Sequence, residues 1–122
     1  MTVLTLQGRD LKLRLEYKEL RRLEESYNGR SFMEIIDVLG KNPSLFDMES
    51  LIFIAIQDKD LTRAEFVDLL DAELSDPDSD LSFDQLMNIF MKAVDSSVFM
   101  RNLQKQQEAE TKKAELKKKK AI

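Results

Sequence analysis

The sequence has 122 residues, of which 43% are hydrophobic and 34% are charged, with only 3 Gly and 2 Pro and a net charge of -4. This composition is typical of one helix-rich globular domain rather than of a disordered or fibrous chain. Because the sequence contains neither Cys nor His, it excludes disulfides, thiolate nucleophiles, imidazole bases and the common zinc and haem ligands. We therefore expect a protein that is not an enzyme and needs no cofactor or metal.

The charge is divided unevenly along the chain. Residues 1–100 carry 11 basic and 20 acidic side chains, whereas residues 101–122 carry 8 basic and 3 acidic ones. An acidic body with a basic tail is typical of a chain whose two parts have separate tasks. No apolar run is long enough to span a bilayer, and the N-terminal residues lack the basic region of a signal peptide. We therefore expect the protein in a cytoplasm and no membrane partner.

An N-terminal hairpin is the first predicted element. Residues 3–6 and 11–15 alternate apolar and polar side chains with the period of a half-buried strand, and residues 7–10 between them are turn-like. Because a lone hairpin is marginal in water, its leucine face must rest on helices or pair with a partner's sheet. The next apolar residues have helical spacing and predict a first helix: Tyr17, Leu20, Leu23 and Tyr27. Gly29 stands where we expect the C-cap of this helix.

Three later helices are predicted from capping boxes, in which Ser or Thr is followed three residues on by Glu or Gln. These boxes are Ser31 with Glu34, Thr62 with Glu65, and Ser82 with Gln85. Each box satisfies backbone N–H groups that the first helical turn leaves without partners. The helix that begins at Ser31 is expected to stop before Gly40, because Asn42-Pro43 follows.

A helix from about Ser44 is predicted to be the central core helix. Its apolar residues lie nearly all round: Leu45, Met48, Leu51, Ile52, Ala55 and Ile56. Residues 51–56 alone are also compatible with a buried strand. The next predicted helix, residues 63–74, carries one apolar stripe and ends in the acidic loop formed by residues 75–80.

The last helix is predicted to begin after Ser82 and to face the core with one stripe: Phe83, Leu86, Met87, Phe90 and Val94. No Gly or Pro follows Pro77 to stop it before the tail. Few residues past Leu103 are apolar, so we expect the tail to be a fraying helix or a disordered arm. The predicted fold is therefore mainly α. It is one helical domain of about five helices with a small N-terminal hairpin over residues 1–100, and a basic tail over residues 101–122.

The acidic loop raises the possibility of a calcium site. Asp76, Asp78 and Asp80 occupy the first ligand positions of a calcium loop. Position 6 is Leu81 instead of Gly, however, and position 12 is Met87 instead of a bidentate Glu. An acidic loop whose carboxylates favour the N-terminal end of the following helix is the better interpretation.

The candidate partner-binding residues lie at the C-terminal end of the chain. Four apolar residues follow the polar break at residues 95–97: Val98, Phe99, Met100 and Leu103. They cannot all face one small core from a single helix, so we expect some to be exposed to a partner. Four lysines extend this site: Lys112, Lys113, Lys117 and Lys118. Two roles of the lysines stay open: they dock on an acidic protein, or they only keep the chain soluble. Binding to nucleic acid is disfavoured because no aromatic residue lies among the lysines to stack on bases.

Several short features resemble the tail assembly chaperones of long-tailed, siphovirus-type bacteriophages and prophages. They are the hairpin that leads into the Glu-rich residues 20–25, the short helix that ends at Leu39-Gly40, and the helix start Leu61-Thr62-x-x-Glu65. The resemblance spans about residues 3–95 and assigns no role to individual residues. It implies a small acidic protein of the bacterial cytoplasm that binds the tape-measure protein, helps to recruit tail-tube subunits and is absent from the mature virion.

The family often carries a frameshift site near the end of its gene. The run Lys117 to Lys120 resembles the translation of such a slippery tract, just before the end of the unshifted reading frame. This resemblance implies the short, non-frameshifted product of the gene. The predicted function is therefore that of a chaperone that shields apolar helical segments of a long partner, and self-association would add avidity. Three alternatives stay open: a structural connector that remains in the particle, a small nucleic-acid-binding accessory protein, and a calcium-responsive adaptor.

Overall fold

The computed structural model describes residues 2–120, apart from the side chains of residues 39–40 and 115–120. Over this range the chain forms, in order, β1 (Thr2–Leu6), β2 (Arg9–Leu13), α1 (Tyr17–Ser26), α2 (Phe32–Lys41), α3 (Leu45–Ala55), α4 (Arg63–Ser75), α5 (Phe83–Asp95) and α6 (Val98–Lys120). The prediction of a mainly helical fold with a small N-terminal hairpin is confirmed. None of the described helices is both long and apolar enough to cross a membrane.

The hairpin turns on only two residues. Gln7 and Gly8 have φ values of 49° and 75°, and positive φ at both central positions is required by the type I′ turn, whose twist matches that of the strands. The strands pair antiparallel, with Leu4 opposite Leu11. The leucines of the inner face are buried: Leu4, Leu6, Leu11 and Leu13. Because the turn needs only two residues, β2 begins at Arg9, earlier than predicted.

The hairpin is attached to the end of α3. The Arg14 N–H donates to the Ala55 carbonyl at 2.8 Å, and the Gln57 N–H donates to the Lys12 carbonyl at 2.9 Å. An antiparallel bridge also joins the end of β2 to Ile56. These bonds satisfy backbone groups on the edge of β2 that does not face β1.

α3 is the central helix, as predicted. It packs against β2, α1, α4 and α5, and its inward side chains include Met48, Leu51, Ile52 and Ala55. Residues 51–55 continue this helix rather than forming a buried strand. The helix begins at a cap in which Ser44 Oγ accepts the Asp47 N–H, so α3 also has an N-cap that the predicted boxes do not include.

All three predicted N-caps are present. Ser31 Oγ, Thr62 Oγ1 and Ser82 Oγ each accept the backbone N–H three residues on. Of these three, Ser82 also forms the return bond, in which its own N–H donates to Gln85 Oε1 at 3.1 Å. The predicted end of α2 is wrong, because the helix runs through Gly40 and ends at Lys41, directly before the proline stop.

The end of α1 is a Schellman motif. The Gly29 N–H donates to the Glu24 carbonyl at 2.8 Å, and the Asn28 N–H donates to the Glu25 carbonyl at 3.3 Å. Asn28 and Gly29 both have positive φ, and the C-cap residue is Tyr27. The predicted C-cap is thus corrected by two residues: Asn28 takes the left-handed position and Gly29 supplies the second bond of the motif.

Three apolar residues predicted on inward stripes are exposed. Tyr17 is 69% exposed, Leu45 is 63% exposed and Phe83 is 50% exposed. Each of them is the first residue of its helix. Phe32 is also the first residue of a helix but is only 2% exposed, so burial of the first turn depends on which neighbouring elements reach it and not on apolar spacing alone.

The long last helix of the prediction is divided in two. α5 ends at Asp95, and the hydroxyl of buried Ser97 accepts the Met100 N–H at 3.3 Å, the geometry of an N-cap for α6. The polar residues 95–97 are therefore a helix boundary. α6 then continues to Lys120, so of the two forms expected for the tail, the helix is present. Its side chains from residue 104 to residue 114 are all exposed.

The complete box at Ser82 makes a stability prediction. Ser82→Ala removes the acceptor for the Gln85 N–H, and we expect the free energy of unfolding to fall by about 1 kcal/mol. Urea unfolding followed by circular dichroism measures this loss. Ser26→Ala is the matched control, because that exposed hydroxyl bonds only to a carbonyl of its own helix, and its effect should stay within about 0.5 kcal/mol. Equal losses in the two variants would contradict the capping role.

Candidate protein-binding groove

Three of the most exposed apolar side chains of the chain converge on one groove. Leu45 and Phe46, which is 70% exposed, come from the first turn of α3, and Phe83 comes from the first turn of α5. The groove has a volume of about 540 Å³, and the face of α4 forms its remaining apolar wall: Val67, Leu70 and Leu74. Exposed apolar side chains that cluster in this way mark surfaces for partners.

The α4 wall follows from the sequence spacing of its residues. Val67, Leu70 and Leu74 are three and four positions apart, so they lie on one helical face. Phe66 on the same helix is fully buried against the core. Leu70 is buried as well, so α4 turns the centre of one apolar stripe to the core and the edge of that stripe, with Val67 and Leu74, to the groove. A groove with such an apolar wall has the form of a site for an amphipathic helix.

Arg63 at the start of α4 holds Phe46 in its place at the groove wall. Its guanidinium lies 5.5 Å from the ring centroid of Phe46 and 5.4 Å from that of Phe53. Nε and Nη2 donate to Glu49 Oε2 at 2.9 and 2.5 Å, and Nη2 also donates to Ser50 Oγ at 2.8 Å. A guanidinium that stacks on aromatic faces and pairs with a carboxylate is held more firmly than an ordinary surface ion pair.

The first turn of α3 is also fixed by Asp47. The Tyr27 hydroxyl donates to Asp47 Oδ1 at 3.0 Å, and the Ser44 hydroxyl donates to Oδ2 at 2.8 Å. Burial raises the pKa of Tyr27 to about 12, and the hydrogen bond to Asp47 and the charge of that carboxylate add to the rise. With Phe46 held by Arg63 as well, the groove wall is ordered before any partner binds, which lowers the entropic cost of binding.

The surroundings of the groove are acidic. Glu49 and Asp71 are its charged lining residues, and no basic side chain of the described residues lines it. Glu49 is already paired with Arg63. Charge complementarity therefore favours an occupant that has basic residues beside its apolar face.

The apolar part of the predicted site lies on the first two turns of α6. Val98, Phe99, Met100 and Leu103 are each half-buried, and the first three pack against the core. The Phe99 ring meets the Phe32 ring edge-on, with centroids 5.3 Å apart. Each side chain keeps part of its surface exposed, so a partner contact there stays a prediction.

The start of α6 belongs structurally to the body. The Val98 N–H donates to the Leu15 carbonyl at 3.2 Å, and Arg101 Nη2 donates to both carboxylate oxygens of Glu16 at 3.2 and 3.0 Å. The basic part of the predicted site is separate: Lys112 and Lys113 are exposed on the projecting helix. The side chains of Lys117 and Lys118 lie outside the described residues. No described residue of α6 lines the groove.

The groove residues Leu45, Phe46 and Phe83 are not among the binding residues predicted from the sequence. Leu45 and Phe83 directly follow the N-cap residues Ser44 and Ser82, and Phe46 is one residue further on. This position is not a sufficient signal, because Phe32 directly follows the N-cap Ser31 and is buried.

The acidic loop is ordered by its own hydrogen bonds. The Asp78 N–H donates to Asp76 Oδ1 at 2.9 Å, and the Ser79 hydroxyl donates to Glu73 Oε1 at 3.1 Å. The backbone N–H and the side-chain amide of Gln7 both donate to the Glu73 carboxylate, and these hydrogen bonds lower the pKa of Glu73. Over the described part of the chain, no group of three or more acidic side chains is arranged to hold a metal ion.

The position of Arg63 predicts that Lys cannot replace it. Arg63→Lys keeps the charge but loses the planar stacking on two rings, and we expect the free energy of unfolding to fall by about 1–2 kcal/mol. Arg21→Lys is the control, because Arg21 forms an exposed pair with Glu25, and its effect should stay within about 0.5 kcal/mol. Urea unfolding compares the two variants, and an unchanged unfolding midpoint for Arg63→Lys would contradict the stabilising role of Arg63.

The contact between Tyr27 and Asp47 predicts a loss of stability at alkaline pH. Because the pKa of Tyr27 in the folded chain is about 12, above the ordinary value of 10.0, its contribution is complete below pH 10 and disappears as the pH rises towards 12. The phenolate absorbance of wild type minus that of Tyr27→Phe should titrate near pH 12, with circular dichroism to confirm folding. Asp47→Asn should lower this midpoint. A difference spectrum that titrates at pH 10 in the folded wild type would refute the contact.

Comparison of the chain with protein-family models, with curated proteins and with solved structures finds no match. The preorganised groove, the projecting α6 helix and the resemblance of the sequence to tail assembly chaperones are therefore the grounds for a function.

Proposed function

We propose that this chain is a protein-binding chaperone without enzymatic activity, and that it shields an apolar helical segment of a partner in the groove between α3, α4 and α5. The observation that carries the proposal is the convergence of exposed Leu45, Phe46 and Phe83 on a wall that Arg63 holds in place. A helix that places apolar residues three and four positions apart fits such a groove. The acidic surroundings favour basic residues next to that stripe.

The specific form of the proposal is a phage tail assembly chaperone. Its support is the resemblance of the hairpin, the Glu-rich helix and the Leu61-Thr62 helix start, together with a groove suited to segments of a long helical partner. In this role the chain binds the tape-measure protein in the cytoplasm of a bacterial host, helps to recruit tail-tube subunits and leaves before the virion is complete.

The α6 arm adds a second, weaker contact in this proposal. It is a 23-residue helix, about 35 Å long at 1.5 Å per residue, and its exposed lysines include Lys112 and Lys113. A polar arm of this kind attracts acidic surfaces in a salt-dependent manner. Contacts that are individually weak keep release of the partner easy, and repetition along a long partner restores affinity through avidity.

The groove is tested by co-expression of the chain with a tape-measure protein, the long helical partner that the proposal names. We expect that partner to be soluble and to co-purify with wild type. Phe46→Ser combined with Phe83→Ser should lower the co-purified amount by at least about tenfold, because two large apolar contacts are lost. The matched control is Met33→Ser with Val38→Ser, which alters two exposed apolar residues of α2 away from the groove. A partner that stays insoluble with wild type would reject the chaperone.

The arm is tested separately by ending the chain after Gln104. This truncation leaves Val98, Phe99 and Met100, which pack against the core, and should weaken partner binding only at low salt. The structural connector is distinguished by the composition of finished particles, since a chaperone is missing from them and a connector is retained. Recovery of the chain from purified particles would replace the chaperone with the connector.

A further inference from the structure

A second cavity lies at the opposite end of α3 from the groove. This cleft has a volume of about 500 Å³ and is bounded by α1, the last turn of α3 and the loop that leads to α4. Its apolar floor consists of half-buried side chains: Phe53, Ile54 and Ile56. Three exposed cations stand around it: Lys18 and Arg22 on α1, and Lys59 on the loop.

The three cations have no acidic partners within the described part of the chain. The ion pairs found there involve other basic residues: Arg9, Arg14, Arg21, Arg63 and Arg101. The two carboxylates that line the cleft are already engaged, because Glu19 accepts the Gln57 side-chain amide at 2.8 Å and Asp58 accepts Arg9 Nη2 at 2.6 Å. The hydrogen bond from Arg9 also lowers the pKa of Asp58, so this carboxyl stays ionised and paired.

The arrangement of the cations is unfavourable for the isolated chain. Lys18 and Arg22 are four positions apart on α1, and like charges at this spacing weaken a helix. The rest of the body is acidic, with 20 acidic and 11 basic side chains over residues 1–100, yet three of those basic residues surround this one apolar cleft. An occupant that carries negative charge relieves the repulsion and also covers the apolar floor.

We propose that this cleft docks an acidic peptide segment of a partner protein, with one apolar side chain inserted against Phe53, Ile54 and Ile56 and carboxylates placed at Lys18, Arg22 and Lys59. The apolar contact supplies affinity, and the charged rim supplies orientation and the rate of association. This inference does not depend on the chaperone proposal, since no residue of the cleft lines the groove.

An acidic peptide suits the cleft better than a nucleic acid does. A phosphate backbone would have to approach Glu19 and Asp58 at the cleft and a body with a net charge of -9 over residues 1–100, which opposes the electrostatic attraction that drives such binding. A short peptide presents its charge only at the three cations. A second copy of this chain offers similar chemistry at residues 75–84, and it is one outcome of the test below.

The test uses fluorescence anisotropy of a labelled seven-residue peptide that has one Leu flanked by three acidic residues on each side. We expect it to bind the full-length chain in 50 mM salt and to bind more weakly in 300 mM salt. Lys18→Glu, Arg22→Glu and Lys59→Glu together should weaken binding by at least about tenfold. The same change of charge away from the cleft and from α6, Arg30→Glu with Lys41→Glu and Lys92→Glu, should change binding by less than about twofold, because these exposed residues do not line the cleft. The milder variant with Lys18→Gln, Arg22→Gln and Lys59→Gln should lose an amount of binding between those of the two other variants. Circular dichroism confirms that each variant is folded.

Several results would overturn the proposal. One is an absence of peptide binding to wild type at millimolar peptide, and another is an equal loss in the control variant with Arg30→Glu, Lys41→Glu and Lys92→Glu. A third is equal binding of a peptide in which Ser replaces the Leu, because the apolar floor would then have no role. Sedimentation of the chain alone tests the second copy. A dimer that the Lys18→Glu, Arg22→Glu, Lys59→Glu variant converts to a monomer would place another copy of this chain in the cleft instead of a different protein.

Discussion

From Met48 to Ala55, α3 is apolar on nearly every side, and a helix of this kind is stable in water only when other elements surround it. The hairpin, α1, α4 and α5 all pack against it, and the backbone bonds at Ala55 and Gln57 tie the hairpin to its end. A two-stranded hairpin is itself marginal without such support. The two elements that are least stable alone therefore stabilise each other, and the remaining helices complete the cover.

The two candidate binding surfaces lie where this cover stops. The groove contains the first turn of α3, with Leu45 and Phe46, and the cleft contains its last turn, with Phe53 and Ile54. Arg63 is close to one ring of each surface, because its guanidinium lies 5.5 Å from the Phe46 ring centroid and 5.4 Å from the Phe53 ring centroid. The same side chain therefore orders a wall of the groove and one residue of the cleft floor. Exposed apolar surface at the ends of a core helix is unfavourable for a monomer in water. Binding of a partner that covers this surface is therefore favourable in free energy.

The surfaces differ in the charge that they present. The residues that form the groove belong to the most acidic stretch of the chain, whereas the cleft is ringed by Lys18, Arg22 and Lys59. Both combine an apolar floor with a charged rim, and this combination is the ground for the two proposals of protein binding. The projecting α6 helix extends the possible contact area beyond the body.

Local signals in the sequence were sufficient for most of the fold. The N-caps at Ser31, Thr62 and Ser82 depend on atoms within three residues of one another, and the hairpin and helical periods depend on similarly short spacings. The central place of α3 also followed from its sequence, because an all-round apolar helix has only one stable location. The break between α5 and α6 was missed, because the residue three positions after Ser97 is Met100 and not the Glu or Gln of a capping box, although Ser97 still accepts the Met100 N–H.

The binding surfaces were decided by tertiary structure. The exposure of Phe46 and Phe83 depends on which elements reach the first turns of α3 and α5, and periodicity within one helix carries no such information. The same holds for the stacking of Arg63 on rings 17 and 10 positions earlier in the chain, and for the meeting of Lys18 and Arg22 with Lys59. The sequence by itself determined most of the helices and strands and the inward face of each, because those choices are local. Only the packed chain decided where the apolar cover ends, because that limit is set by contacts between distant segments.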